Sequence, residues 1–131
     1  MNKIDIRVLK GLVLSKITCL EDEIYFHSVC GKKFKMYHEK DCCECVYIED
    51  ICGDMNNLID SPILISEERQ SDLLEPLSTY DDSFTWTFYE IATLKGSVTI
   101  RWYGSSNGYY SERVDFEELD PKYKIPEGVS E

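Results

Sequence analysis

The residue types best suited to chemistry crowd into one stretch. His38, Cys42, Cys43, Cys45 and Cys52 lie within fifteen positions. Imidazole and thiolate are natural ligands of zinc, which takes four of them as a tetrahedron, commonly from paired Cys-x-x-Cys or His-x3-His clips. Here the spacings are His-x3-Cys, Cys-Cys and Cys-x-Cys, with no second clip. Neighbouring side chains on an extended backbone point to opposite sides. A metal set of His38, Cys42, Cys43 and Cys52 is therefore the lesser alternative, and no cofactor is expected. His38 could pair with Cys42 as base and nucleophile only across a helical turn. A reactive thiolate also needs positive surroundings, whereas Glu39, Asp41, Glu44, Glu49 and Asp50 crowd this stretch with carboxylates. Those carboxylates lack the alternating ligands and glycine turn of a calcium loop; they read as the solvated start of a helix. His27, in an alternating strand, reads as a packed or edge histidine with no chemical role. The sequence holds no phosphate loop, nucleophile elbow or His-Glu-x-x-His motif, so the residues point away from an enzyme.

Composition narrows the classes further. The chain has 131 residues, with 14 basic against 25 acidic side chains and a formal charge of −11. That length suits one domain. With 43% apolar and 12% aromatic residues, the chain is too rich for a disordered acidic tail. The charge opposes direct nucleic-acid binding, which needs clustered cations. Lys3, Asp5, Arg7 and Lys10 interrupt the N-terminus, and the apolar run Gly11–Leu14 is far too short for a membrane span. Six cysteines, two of them adjacent, then read as reduced thiols of a cytosolic protein, not as a disulfide framework.

Local patterns supply the elements that would carry these groups. Residues 1–10 form a lead-in. Leu12–Leu20 reads as a strand with Leu12, Leu14, Ile17 and Cys19 inward. Ile24–Val29 and Lys32–Tyr37 follow as a hairpin around Cys30-Gly31, with Phe34 and Met36 alternating with lysines. Ile48, Ile51, Cys52, Met55, Leu58 and Ile59 recur at helical spacing, which predicts a short helix over Glu49–Leu58, ended by Asp60-Ser61-Pro62. Ile63–Ser66 reads as a strand, and 67–82 as an irregular acidic loop anchored by Leu73, Leu74 and Leu77. Ser83–Thr93, Ser97–Gly104 and Tyr109–Phe116 read as a three-strand meander. The tail, acidic from Glu117, is expected to fray over 119–131.

Hydrophobic matching sets the meander's register. It places Val98 against Phe116 and Ile100 against Val114, and a Lys95-Gly96 turn places Ile91 against Ile100 and Tyr89 against Trp102. The opposite face then holds Trp86, Phe88, Arg101, Tyr103 and Arg113, with Glu90 and Arg113 each beside Arg101. Either this face is half covered by the helix or the 67–82 loop, or it is a recognition surface, since Arg and aromatics are enriched at interface hot spots. Two arginines beside rings could also hold an anionic, stackable nucleotide. The expected fold is α+β: one domain, a mostly antiparallel sheet with a C-terminal meander packed on one short helix.

The strings YHEKDCCECVYIEDICGD, SPILISEE and YDDSFTWTFYEIATLKGSVTIRWYGSSNGYYSERVDFEE resemble a family of short proteins encoded mostly by bacteriophages and prophages, to which no activity attaches. The resemblance covers roughly residues 11–118. Its pattern keeps His38, Asp41, Cys42, Cys43, Glu44 and Tyr80-Asp81-Asp82-Ser83, while Cys45 and Cys52 look like departures and 67–79 varies. The resemblance implies a small phage accessory protein in the host bacterial cytoplasm. The leading expectation is a non-enzymatic protein that binds and inhibits a host anti-phage defence protein, in the manner of an acidic nucleic-acid mimic or anti-CRISPR. Its contacts would be Trp86, Phe88, Arg101, Tyr103 and Arg113, with the acidic stretch Tyr80, Asp81 and Asp82 beside them. The alternative is a sponge for a nucleotide immune signal, such as a cyclic dinucleotide or an ADP-ribose derivative. A homo-oligomer is left open.

Overall fold

Alternating apolar residues, not helical stripes, organise this chain. The computed structural model describes residues 3–71, 75–78, 82–126 and 129–130. Strands occupy 54% of the described residues, whose helical part is 3-10 turn alone. The strands are β1 Leu14–Leu20, β2 Glu23–Ser28, β3 Lys33–Tyr37, β4 Cys45–Cys52, β5 Ile65–Ser71, β6 Ser83–Thr93, β7 Gly96–Ser106, β8 Asp115–Leu119 and β9 Val129–Ser130. They form two sheets, ordered β8-β3-β2-β1-β9 and β4-β7-β6-β5. Every strand pairing is antiparallel. The α+β expectation is thus corrected to an all-β, two-sheet architecture.

The core lies between the sheets. Ile17, Ile24, Phe26, Phe34, Met36 and Phe116 from the first face Tyr89, Ile91, Val98, Ile100 and Trp102 from the second. Phe34 and Phe116 stack at 5.6 Å, and the Trp102 indole N–H points across the gap to Met36 Sδ at 3.3 Å. Burying each such side chain is worth about 1.5–3 kcal/mol. Two 3-10 turns contribute to the core: Ile6–Leu9 adds Ile6 and Leu9, and Met55–Leu58 adds Met55 and Leu58.

The expected helix over Glu49–Leu58 is instead β4 followed by a 3-10 turn. A β-bulge explains the misreading. Ile48 pairs with Trp102 and Ile51 with Ile100, so three residues on β4 span two on β7. Ile48 and Ile51 therefore face the core at helix-like spacing. Gly53 ends the strand at φ 113°, where a Cβ would sit 2.5 Å from the Ser97 carbonyl oxygen.

The meander is also corrected. The β6–β7 hairpin turns at Leu94-Lys95 and pairs Ile91 with Val98 and Tyr89 with Ile100, two residues from the expected register. A two-residue slip keeps every side chain on its face, so the apolar face survives. The third strand does not join β7. The second neighbour of β7 is β4, while β8 crosses to the other sheet and pairs with β3, Phe116 opposite Met36. Arg113 is consequently not beside Arg101. At the margins, Glu67–Ser71 of the expected loop is strand, Leu119 of the expected frayed tail is buried, and Val129–Ser130 pairs with β1.

Candidate functional site

Three connections meet at one end of the two sheets. The rungs Tyr37–Asp115, Cys45–Ser105 and Ser83–Ser106 mark that end. From it spring the segments 38–44 and 107–114, which cross between sheets, and the described residues 75–78 and 82 of the connection from β5 to β6.

A buried charge ties the two crossings together. Glu44 is 1% exposed. Its carboxylate accepts the Asp41 N–H at 2.8 Å and the Cys42 N–H at 2.9 Å, and lies 2.7 Å from His38 Nε2. The backbone N–H groups of Asp41 and Cys42, with help from His38, hold its pKa down at about 2. The other ring nitrogen of His38 donates to the Arg113 carbonyl at 2.6 Å. Both His38 nitrogens thus face acceptors, and the ring links segment 38–44 to segment 107–114. Asp115 accepts the Glu39 N–H at 3.0 Å, and Lys3 bridges Glu39 and Asp115 at 2.8 and 3.6 Å.

The second crossing is anchored by Glu112. Its carboxylate accepts from the Thr85 hydroxyl at 2.7 Å and the Ser106 hydroxyl at 2.6 Å. This segment runs so close over β7 that a Cβ on Gly104 would meet the Glu112 carbonyl oxygen at 2.8 Å. Asn107 Oδ1 accepts the Tyr109 N–H at 2.9 Å, and Gly108 takes φ 89° to make the turn. Tyr109 is left 84% exposed, edge-on to Tyr110 at 5.2 Å. Beneath them, a recess of about 270 Å³ is lined by Cys43, Cys45, Asp82, Ser105, Asn107 and Tyr110, among others. It draws residues from all three connections.

The expected recognition face has a different fate. Trp86 is 5% exposed and Tyr103 1%. Segment 75–78 lies over them: the Trp86 indole N–H donates to the Glu75 carbonyl at 3.0 Å, and the Leu77 N–H donates to the Tyr103 hydroxyl at 3.1 Å. The rings form an outer cluster, with Trp86 edge-on to Tyr103 at 4.8 Å, and Phe84 and Phe88 packed half-buried beside them. Arg101 lies above Trp86, 5.7 Å from the ring, and its charge is met by Glu49 at 2.5 Å and Asp50 at 3.5 Å. The expected Glu90 partner instead binds Arg69 at 2.9 Å. Arg113 is exposed in segment 107–114, and Asp82 is exposed at the recess. Tyr80 and Asp81 lie outside the described residues.

The metal alternative does not fit the residues present. His38 has both nitrogens engaged. Cys42 and Cys43 form a disulfide between adjacent residues. Cys52 lies at the far end of β4, opposite Thr99, and its thiol donates to Asp50 at 3.4 Å, which pushes its pKa up. Among the described residues no group of three or more His, Cys, Asp or Glu could hold a metal ion. No helix there is long and apolar enough to cross a membrane.

Sequence reasoning missed Tyr109, Tyr110, Asn107 and the anchoring role of Glu112. A compositional signal was present in the string GSSNGYYS: Gly, Ser, Asn and Tyr are the residues enriched in binding loops. No curated protein and no solved structure matches the chain. One family model matches residues 6–116, and on that match the chain belongs to the family described as a domain of unknown function, DUF7448.

Proposed function

We propose that this protein works by contact, as a non-enzymatic phage accessory protein that binds and inhibits a host defence protein in the bacterial cytoplasm. The observation that carries the reading is the loop end. A buried His38–Glu44 pair and Glu112 hold two crossings in place, so that Tyr109, Tyr110, Asn107 and Asp82 are presented together. Tyrosine gives large contact area with few side-chain rotors to order, and Asn and Ser supply adaptable hydrogen bonds. A chain of charge −11 complements a basic, nucleic-acid-binding surface on its target, as a nucleic-acid mimic or anti-CRISPR would. The contact surface therefore moves from the strand face to the loops.

The nucleotide-sponge reading loses its support, because Arg101 sits against Glu49 and Asp50 and away from Arg113. The test is capture from host lysate followed by reconstitution. The wild-type chain should retain a stoichiometric partner and inhibit it when both are purified. A folded Y109A/Y110S variant should lose both. Retention of inhibition by that variant, or stabilisation of the wild type by a cyclic dinucleotide, would overturn the reading.

A further inference from the structure

We propose that Cys42 and Cys43 are a reversible thiol–disulfide site, which exchanges two electrons with low-molecular-weight thiols and disulfides of the glutathione class. The inference goes beyond the binding reading and needs no partner protein.

A disulfide stabilises a fold mainly by restraining the unfolded chain, and the effect grows with the length of the loop it closes. A bond between adjacent residues closes almost none. The Cys42–Cys43 bond is therefore not a structural staple, and redox chemistry is what it offers. Both residues are exposed, so a small disulfide can reach either sulfur. The backbone leading into the pair is anchored, since the N–H groups of Asp41 and Cys42 both donate to the Glu44 carboxylate.

The structure lessens, without removing, the electrostatic objection to a thiolate. Of the five nearby carboxylates in the sequence, Glu39 is met by Lys3, and Glu49 and Asp50 share Arg101. Two cations thus stand against five carboxylates, so the exchange is expected to be slow, as for a thiol without a positive neighbour.

The step balances. One thiolate attacks a small disulfide, forms a mixed disulfide and expels one small thiolate. The neighbouring thiolate then attacks the protein sulfur of that bond and expels the second. Two electrons pass from the cysteines to the small disulfide, and the two cysteine protons end on two small thiols.

Free Cys45 and Cys52 provide internal controls. The full chain is equilibrated across ratios of reduced to oxidised glutathione, acid-quenched, blocked with N-ethylmaleimide and digested after Lys40 and Arg69. As the ratio becomes oxidising, Cys42 and Cys43 should lose the maleimide together and the peptide should lose two hydrogens. Cys45 and Cys52 should stay blocked, and dithiothreitol should reverse the change completely. A C43S variant, which keeps the Glu44 hydrogen bonds, should carry one glutathione on Cys42. The proposal is overturned if both cysteines remain blocked at the most oxidising ratio, if each carries its own glutathione, or if the bond forms to Cys45, Cys52 or a second chain.

Discussion

Two regions of this molecule carry large aromatic side chains, and they are used in opposite ways. On the outer face of the second sheet, Trp86 and Tyr103 look like contact residues but are covered by segment 75–78. At the loop end, Tyr109 stands in solvent while the side chains of Glu44 and His38, which tie the crossings together, are buried. Residue type alone does not separate a packing ring from a presented one. What separates them is whether a second segment supplies hydrogen-bond partners to the ring's polar tip. A buried Trp or Tyr needs such a partner, and the backbone of Glu75 and Leu77 provides it.

The contrast can be broken most forcefully at Trp86. A Trp86→Ala substitution should cost about 3–5 kcal/mol, the usual loss for a buried Trp, read as a shift of the urea midpoint. A cost within about 0.5 kcal/mol would mean the ring is a surface residue. His38→Ala comes next. It removes a charge-assisted hydrogen bond to buried Glu44 and the link to Arg113, and should cost about 1.5–3 kcal/mol. If the loop end is tied elsewhere, the midpoint will not move.

Acid titration sharpens the same comparison. Glu44 is held at about 2, against an ordinary value of 4.5. A carboxyl with a depressed folded value binds fewer protons when folded than when unfolded between those two values. Its stabilisation is therefore fully present above pH 4.5 and is lost as pH falls toward 2. Glu44→Gln should flatten the stability profile in that window and leave its shape above pH 5 unchanged. An unaltered acid limb would show that the buried carboxylate is not what holds the crossings.

A finer cut is Trp86→Phe, which keeps a ring but removes the N–H bond to Glu75, for a cost of about 1 kcal/mol. The smallest effect on stability belongs to Tyr109→Ser, within about 0.5 kcal/mol, although partner capture should be lost. A large stability loss there would put Tyr109 in the same class as Trp86.

Local order was legible in the sequence. Alternation at Ile24, Phe26, Phe34 and Met36 marked β2 and β3, because successive side chains of a strand face opposite ways. The faces of the β6–β7 hairpin were also readable, because a two-residue slip leaves them unchanged. The bulge in β4 was not, since an extra residue turns strand spacing into something helix-like. The choice of neighbours was less legible still. Val114 and Phe116 match β7 as well as they match β3, and which sheet receives them depends on pairings between residues distant in the chain. The candidate site shows the same division. Sequence by itself determined that His38, Cys42, Cys43 and Glu44 share a short segment and that GSSNGYYS turns. Only the tertiary structure decided that the two segments meet, that Glu44 is buried between them, and that Trp86 and Tyr103 are covered. The physical reason is range: backbone geometry and alternation act over a few residues, whereas burial and charge pairing are fixed by whichever segments the closed fold brings together.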